Sequence, residues 1–200
     1  MKFDIRPFHI TDLTALYRIC LLTGDNGSDA TSLYSDPDLV GHYFAAPYAV
    51  LEPELCFVLT GDGMPIGYIL GCADSAEFHK KCEKHWFPPL RQRYPKPTDA
   101  DSWTASDKWI INQIHEGIPA EDDVTAYPAH LHIDLLPIGQ KAGWGRKMMA
   151  LFWDKLRSLG VPAVHLGVSR ANTNAVGFYQ HIGYHTVVET SGAFILGKHL

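Results

Sequence analysis

The stretch "AHLHIDLLPIGQKAGWGRKMMALFWDKLRSLG", residues 129–160, carries the change of element on which the fold turns. "AHLHIDLLP" alternates His130, His132 and Asp134 with Leu131, Ile133 and Leu135, so a strand there has one polar and one apolar face. "GRKMMALFWDKLRSLG" repeats its apolar residues at the spacing of an amphipathic helix. Between them "QKAGWGR", residues 140–146, holds two glycines two apart with a basic residue on either side. A helix N-terminus has unpaired N–H groups and a partial positive charge. Glycine lets an anion approach that backbone closely. By itself the turn is either an anion cradle or a tight connection that binds nothing. A third glycine and an acidic ribose ligand are absent, which excludes a dinucleotide fingerprint. A Walker lysine is absent too, which argues against a P-loop.

Outward from this motif the elements alternate. "KFDIRPF" reads as a strand. "TDLTALYRICLLTG" reads as a helix capped by Thr11 or Asp12, with Leu13, Leu16, Tyr17 and Cys20 at helical spacing, and ended by Gly24. A polar, turn-rich stretch follows, with a short helix near Leu39–Phe44. "ELCFVLTGDGMPIGYILGCA" is a hairpin turning at "GDGMP". Residues 74–127 interrupt the rhythm as an insertion. Phe78, Cys82 and Trp86 at fours predict a helix over residues 77–86 stopped by Pro88 and Pro89. "ASDKWIINQIHEGIP" predicts a second helix closed by Gly117 and Pro119. After the motif helix come a buried strand, "PAVHLGVS", and a short helix, "TNAVGFYQHIG", with Gly183 at its C-cap. "YHTVVETSGAFILGKHL" closes the chain as a strand pair. The expectation is one α/β domain over residues 1–200, with helices on both faces of a central sheet.

Of the 200 residues, 46% are hydrophobic and 20% charged, an ordinary globular balance. The formal charge of −5, without a basic block, argues against nucleic acid as a partner. No apolar run approaches ~18 residues and the N-terminus lacks a signal-peptide pattern, so no membrane partner and a cytoplasmic location are expected. Cys20, Cys56, Cys72 and Cys82 form no CxxC pair and read as reduced thiols. His130 and His132 resemble a two-residue metal clip, but no third ligand stands at a telling spacing, and no metal is expected.

The order strand, helix, hairpin, strand, Q-x-x-G-x-G, helix, strand and "NTNAVGFYQHIGY" resembles the GNAT family of acyl-CoA-dependent N-acyltransferases. The residues that carry the resemblance are Gln140, Gly143 and Gly145, then Asn172, Asn174, Phe178, Tyr179, Gly183 and Tyr184. "HKKCEKHWFPPLRQRYPKP", "AHLHIDLLP" and "ILGKHL" are similar to the acetyltransferase-like C-terminal domain of eukaryotic O-GlcNAcases. That domain lacks the glycine pair that this chain keeps.

The resemblance implies a mixed sheet splayed between two parallel strands, with acetyl-CoA as co-substrate in the splay. It assigns the pantetheine to the strand edge around Leu135, Leu136 and Ile138. The pyrophosphate falls to the loop and first helical turn: Gln140, Lys141, Ala142, Gly143, Trp144, Gly145 and Arg146. Tyr179 matches the family's general acid, and Asn172 a position that bonds the pantetheine arm; as residues alone they also read as a core aromatic and a helix N-cap. Asp134 is the candidate base for an amine acceptor, with His132 holding it or relaying a proton; the alternative is a polar pair that satisfies itself in the sheet. The expected activity is N-acetylation of a primary amine by direct attack. The alternative is a GNAT-like module without activity that holds CoA or a protein partner. The insertion's aromatics, Phe78, Trp86, Phe87, Tyr94, Trp103 and Trp109, read equally as an acceptor lid and as a cluster packing the insertion onto the sheet. Its acids, Asp99, Asp101, Asp107, Glu121, Asp122 and Asp123, would suit a cationic acceptor or form an ordinary solvated face.

Overall fold

The computed structural model of the protein describes residues 1–118 and 124–200. Pro119, Glu121, Asp122 and Asp123, named above, lie outside the described residues. The strands are β1 (Phe3–Pro7), β2 (Cys56–Gly61), β3 (Met64–Cys72), β4 (Ala129–Leu135), β5 (Ala163–Ser169), β6 (His185–Glu189) and β7 (Ala193–His199). They form one seven-stranded mixed sheet in the order β1-β2-β3-β4-β5-β7-β6. Every neighbouring pair is antiparallel except β4 and β5, which are parallel.

The helices divide between the faces. On one lie α1 (Leu13–Thr23), α2 (Leu39–Phe44), α3 (Ala46–Leu51), α4 (Ser75–Lys81), α5 (Phe87–Arg93) and α6 (Ala105–Glu116). On the other lie α7 (Trp144–Ser158) and α8 (Thr173–His181). The strand periodicity holds: Val58, Tyr68, Leu70 and Cys72 enter the first core, and Leu59, Ile69, Leu131 and Val164 the second. Two glycines set close approaches. A Cβ on Gly41 would run into the Tyr17 ring, and one on Gly71 would meet the Phe152 ring at 2.5 Å.

The expected cap of α1 takes another role. Asp12 stands at the N-cap without a side-chain cap bond. Its carboxylate accepts from both guanidinium nitrogens of Arg6, at 2.6 and 2.8 Å, and from the His9 N–H. The Arg6 hydrogen bonds hold its pKa below the usual carboxylate range against the opposing effect of burial. The pair ties β1 to the start of α1.

The insertion departs from expectation at Pro88 and Pro89. These do not stop the helix. The chain stays helical from Ser75 through a π-turn at Cys82–Trp86 into α5, where the prolines occupy the first turn. That position needs no N–H donor, and the Phe87 N–H closes the wide turn onto the Cys82 carbonyl. Gly183 likewise sits one residue beyond the C-cap of α8, which is Ile182.

The insertion is core. Phe78, Cys82, Phe87, Leu90, Tyr94, Ile110, Ile111 and Ile114 are buried among α1, α2, α3 and the sheet. Trp109 is the exception, half exposed and stacked on Phe44 with ring centroids 6.1 Å apart. Asp107, one of the acids counted above, is fully buried: it completes a capping box with Thr104 and accepts from the backbone and hydroxyl of Ser35. Asp101 turns back onto Thr98. Asp101 and Asp107 are therefore structural. An insertion that supplies this much core cannot be trimmed like a free lid. Phe87→Ala is expected to lower the unfolding free energy by about 3–5 kcal/mol in urea titration, the cost of an emptied aromatic site. A loss under 1 kcal/mol would return the insertion to the role of a lid.

Candidate functional site

Pairing between β4 and β5 sets the site. Among the described residues they pair only at Ala129–Val164 and His130–His165. Beyond these β5 continues against β7 over its full length, and β4 continues against β3. The β4 edge from Leu131 to Leu135 thus faces the gap between diverging strands, with backbone donors and acceptors directed into it.

At the far end of that edge the loop prepares a helix N-terminus. Leu136 N–H bonds back to Ile66, and the Gln140 amide donates to the Leu135 carbonyl at 2.7 Å. Lys141 and Gly143 take left-handed backbone, with φ of 62° and 79°. Gly143 is the N-cap of α7 and provides no side-chain cap, and no acid stands in the first turn. The first N–H groups of a fifteen-residue helix therefore point out beside the exposed side chains of Lys141 and Arg146.

The glycines serve different ends. Gly143 needs its φ, and a Cβ there would meet nothing within 4 Å. Gly145 needs space: a Cβ would lie 3.3 Å from Leu135 and 3.4 Å from the Phe178 ring. The Trp144 ring packs 5.6 Å from Phe3, with the Lys147 ammonium 4.0 Å from its centroid. Ala142 and Ile138 are exposed.

From α8, Tyr179 is buried against Tyr184 and Phe178. Burial, then the charge on Asp134, then Tyr184 push its phenol well above the ordinary value, so it carries its proton at neutral pH. Asn172 is the N-cap of α8 and accepts from the Ala175 N–H at 3.1 Å. That leaves its amide donors for other partners.

The polar face of β4 is arranged otherwise than the sequence suggests. His132 and Asp134 do not pair. Asp134 stands across from Tyr68 of β3, whose hydroxyl donates to it at 2.6 Å. Burial raises the Asp134 pKa to about 6, against the opposing Tyr68 and Thr23 hydrogen bonds. His132 meets the Tyr48 hydroxyl at 3.2 Å, and His130 meets the same hydroxyl at 2.7 Å. Burial, then His165, push the His132 pKa down to about 4. Burial first, then the neighbouring histidines, holds His130 well below the ordinary imidazole value. Both imidazoles are neutral at neutral pH.

A cleft of about 570 Å³ opens where β4 and β5 part. Its walls include Leu131, His132, His165 and Gly167 of the two strands and Phe44 and Tyr48 of α2 and α3. The ends of the insertion, at Asp74, Ser75, His79 and Tyr127, complete the rim. Asp74 is the one acid among the described lining residues. Sequence reading missed Tyr48, Tyr68 and Ser75. Tyr48 sits in a stretch that reads as turns, and its partners are 82 and 84 residues away. All four cysteines are free and buried. Cys72 lies 3.1 Å from His130, yet burial pushes its thiol up to about 12 and keeps it protonated at neutral pH. Among the described residues no group of three or more His, Cys, Asp or Glu could hold a metal, and no helix is long and apolar enough to cross a membrane.

No protein-family model matches the chain. The crystal structure of SsHAT is 38% identical and superposes with a TM-score of 0.91, covering 100% of this chain and 98% of that one. O-GlcNAcase of Rattus norvegicus is 26% identical over 99% of this chain. The chain spans only 22% of that protein's length. The PaiA N-acetyltransferase of Thermoplasma acidophilum, crystallised with coenzyme A, shares the fold at 16% identity and a TM-score of 0.62, with all of both chains covered.

The raised Asp134 pKa fixes a sign. A carboxyl whose folded pKa exceeds its unfolded value of about 3.9 favours the folded state most at low pH, and that contribution is lost as pH rises through about 6. Carboxyl carbon NMR should give a midpoint near 6, and Asp134→Asn should remove this component from the pH dependence of stability. A midpoint near 4 would show the carboxylate to be well solvated.

Proposed function

We propose that this chain, which belongs to the GNAT family of acetyltransferases, transfers the acetyl group of acetyl-CoA to a primary amine by direct attack. The observation that carries the proposal is the early end of β4–β5 pairing, which leaves a free strand edge between an uncapped helix N-terminus and a cleft. The residues suit acetyl-CoA. The edge at Leu135, Leu136 and Ile138 would hold the pantetheine amides. The N–H groups from Lys141 to Arg146 would hold the pyrophosphate, with the two side chains adding charge. Asn172 has amide donors left for the pantetheine arm or a water. The co-substrate supplies an activated thioester; the chain supplies position and protons.

Tyr179 is the proposed acid. It keeps its proton at neutral pH and can give it to the departing thiolate. Asp134 is the proposed base, directly or through water, because a carboxylate with a pKa of about 6 is ionised at neutral pH yet still accepts protons. Transfer through an acyl-cysteine is disfavoured by the four buried thiols, of which Cys72 and Cys82 are held up to about 12. Asp74 at the cleft rim offers a charge partner to an incoming ammonium. The reading of a module that only holds CoA rests on the 26% likeness to part of O-GlcNAcase. The assays below separate the two.

Free-thiol release from acetyl-CoA across a panel of amines tests the activity; binding without release for every amine would favour the inert module. Calorimetry should show acetyl-CoA binding abolished by Gly143→Val or Gly145→Val in folded protein. Unchanged affinity would displace the cofactor from this loop. Tyr179→Phe should lower turnover by ~10²-fold while sparing acetyl-CoA affinity. Turnover should fall as pH drops below about 6, and Asp134→Asn should remove that limb. An unaltered profile in the variant would assign the base elsewhere.

A further inference from the structure

The cleft contains a chain of hydrogen bonds whose donors can be assigned one by one. Ser75 Oγ lies 2.7 Å from the Pro128 carbonyl oxygen, which has no proton to give. The single hydroxyl proton of Ser75 must therefore point there; otherwise two oxygen lone pairs would face each other at 2.7 Å. Ser75 Oγ is then an acceptor toward His130 Nδ1, 2.7 Å away. So His130 carries its proton on Nδ1, toward which the Cys72 sulfur, 3.1 Å away, can then only accept, and its Nε2 is bare. Tyr48 must donate to that bare nitrogen at 2.7 Å, which spends the only phenolic proton. Toward His132, 3.2 Å away, the Tyr48 oxygen can only accept. His132 is thereby held in one tautomer, with the proton on Nε2 and the lone pair on Nδ1. Burial keeps both rings neutral, so neither is relieved of this constraint by a second proton.

We infer that His132 presents its Nδ1 lone pair to the cleft as the hydrogen-bond acceptor for the N–H of the acceptor amine, its tautomer fixed from Pro128 through Ser75, His130 and Tyr48. This rests on the acetyltransferase reading and specifies how the amine is held. His132 lines the cleft where β4 leaves β5, and the Phe44 ring stands edge-on to it at 5.5 Å. A neutral acceptor at that place orients an amine nitrogen without adding charge. The aromatic walls at Tyr43, Phe44 and Tyr48 favour an amine with an apolar body, whose surface they take out of water, over a polyamine. The arrangement gives a role to a buried tyrosine and a half-buried serine that neither acid nor base requires.

Ring nitrogen NMR of labelled protein tests the chain of donors directly. Between pH 6 and 8, His130 should show a protonated Nδ1 and a bare Nε2, and His132 the reverse. Tyr48→Phe and Ser75→Ala should release His132 into a tautomer mixture. Tyramine, a primary amine with an aromatic body, added to CoA-saturated protein should move the His132 Nδ1 resonance upfield from its bare position. In thiol-release assays His132→Ala should raise the tyramine KM about tenfold, one hydrogen bond's worth, with kcat less affected. His132→Asn, whose Oδ1 stands close to the place of Nδ1, should restore most of the loss, and His132→Gln should not. A proton on His132 Nδ1, no tyramine-dependent shift there, or an unchanged KM in His132→Ala would each overturn the inference. Failure of acetyl-CoA to bind in calorimetry would instead sink the acetyltransferase reading, while the tautomers would still be read in the protein without it.

Discussion

Backbone N–H and C=O groups need partners, and past Ala129 and His130 no strand among the described residues supplies them to the outer edge of β4. The rest of the site is organised around that shortfall. β5 cannot close the gap because it is committed to β7 along its length, from Ala163–His199 to Ser169–Ala193. β4 cannot shift toward it because β3 holds its other edge over six registered pairs. The sheet therefore parts at a fixed place. A ligand that brings its own amide groups can complete the edge, and the left-handed turn at Gly143 leaves helix N–H groups bare at the same end.

The same two strands set the chemistry of the cleft. Cross-strand neighbours on the α1 face are Cys72–His130, Leu70–His132 and Tyr68–Asp134. Each polar group on β4 thus finds its partner from β3 or from the helices above, not from the next polar group along its own strand. Asp134 goes to Tyr68, and His130 and His132 share Tyr48. Burial then acts in opposite directions, raising the carboxyl to about 6 and lowering His132 to about 4. The common result is a weaker preference for the charged form in both groups.

The insertion is the structural cost of that cleft. It places Asp74, Ser75 and Tyr127 at the rim while its middle fills the core under α1 and α2. A segment that both supports and lines a site couples the two. Ser75 shows this: its backbone and hydroxyl both bond Pro128, joining the start of α4 to the entry of β4, and its oxygen sets the His130 tautomer.

The strands, the main helices and the motif turn were legible in the sequence, because alternation, 3.6-residue spacing and glycine placement are local properties; the mixed sheet followed only from the family resemblance. The split of β4 into a face bearing His132 and Asp134 and a face bearing Leu131 and Ile133 was legible for the same reason. Where local rules compete, the sequence misled. Pro88 and Pro89 read as a stop, yet a π-turn let them serve as a first turn. Asp12 read as a cap, yet Arg6 claimed it. The pairing of His132 with Asp134 failed because side chains two apart on a strand lean in parallel, and each was met by a tyrosine brought from 84 or 66 residues away. The sequence by itself determined which residues face which way. Only the tertiary structure decided what they meet, because register, the parting of β4 from β5, and burial are set by contacts between segments that carry no record of each other in the chain.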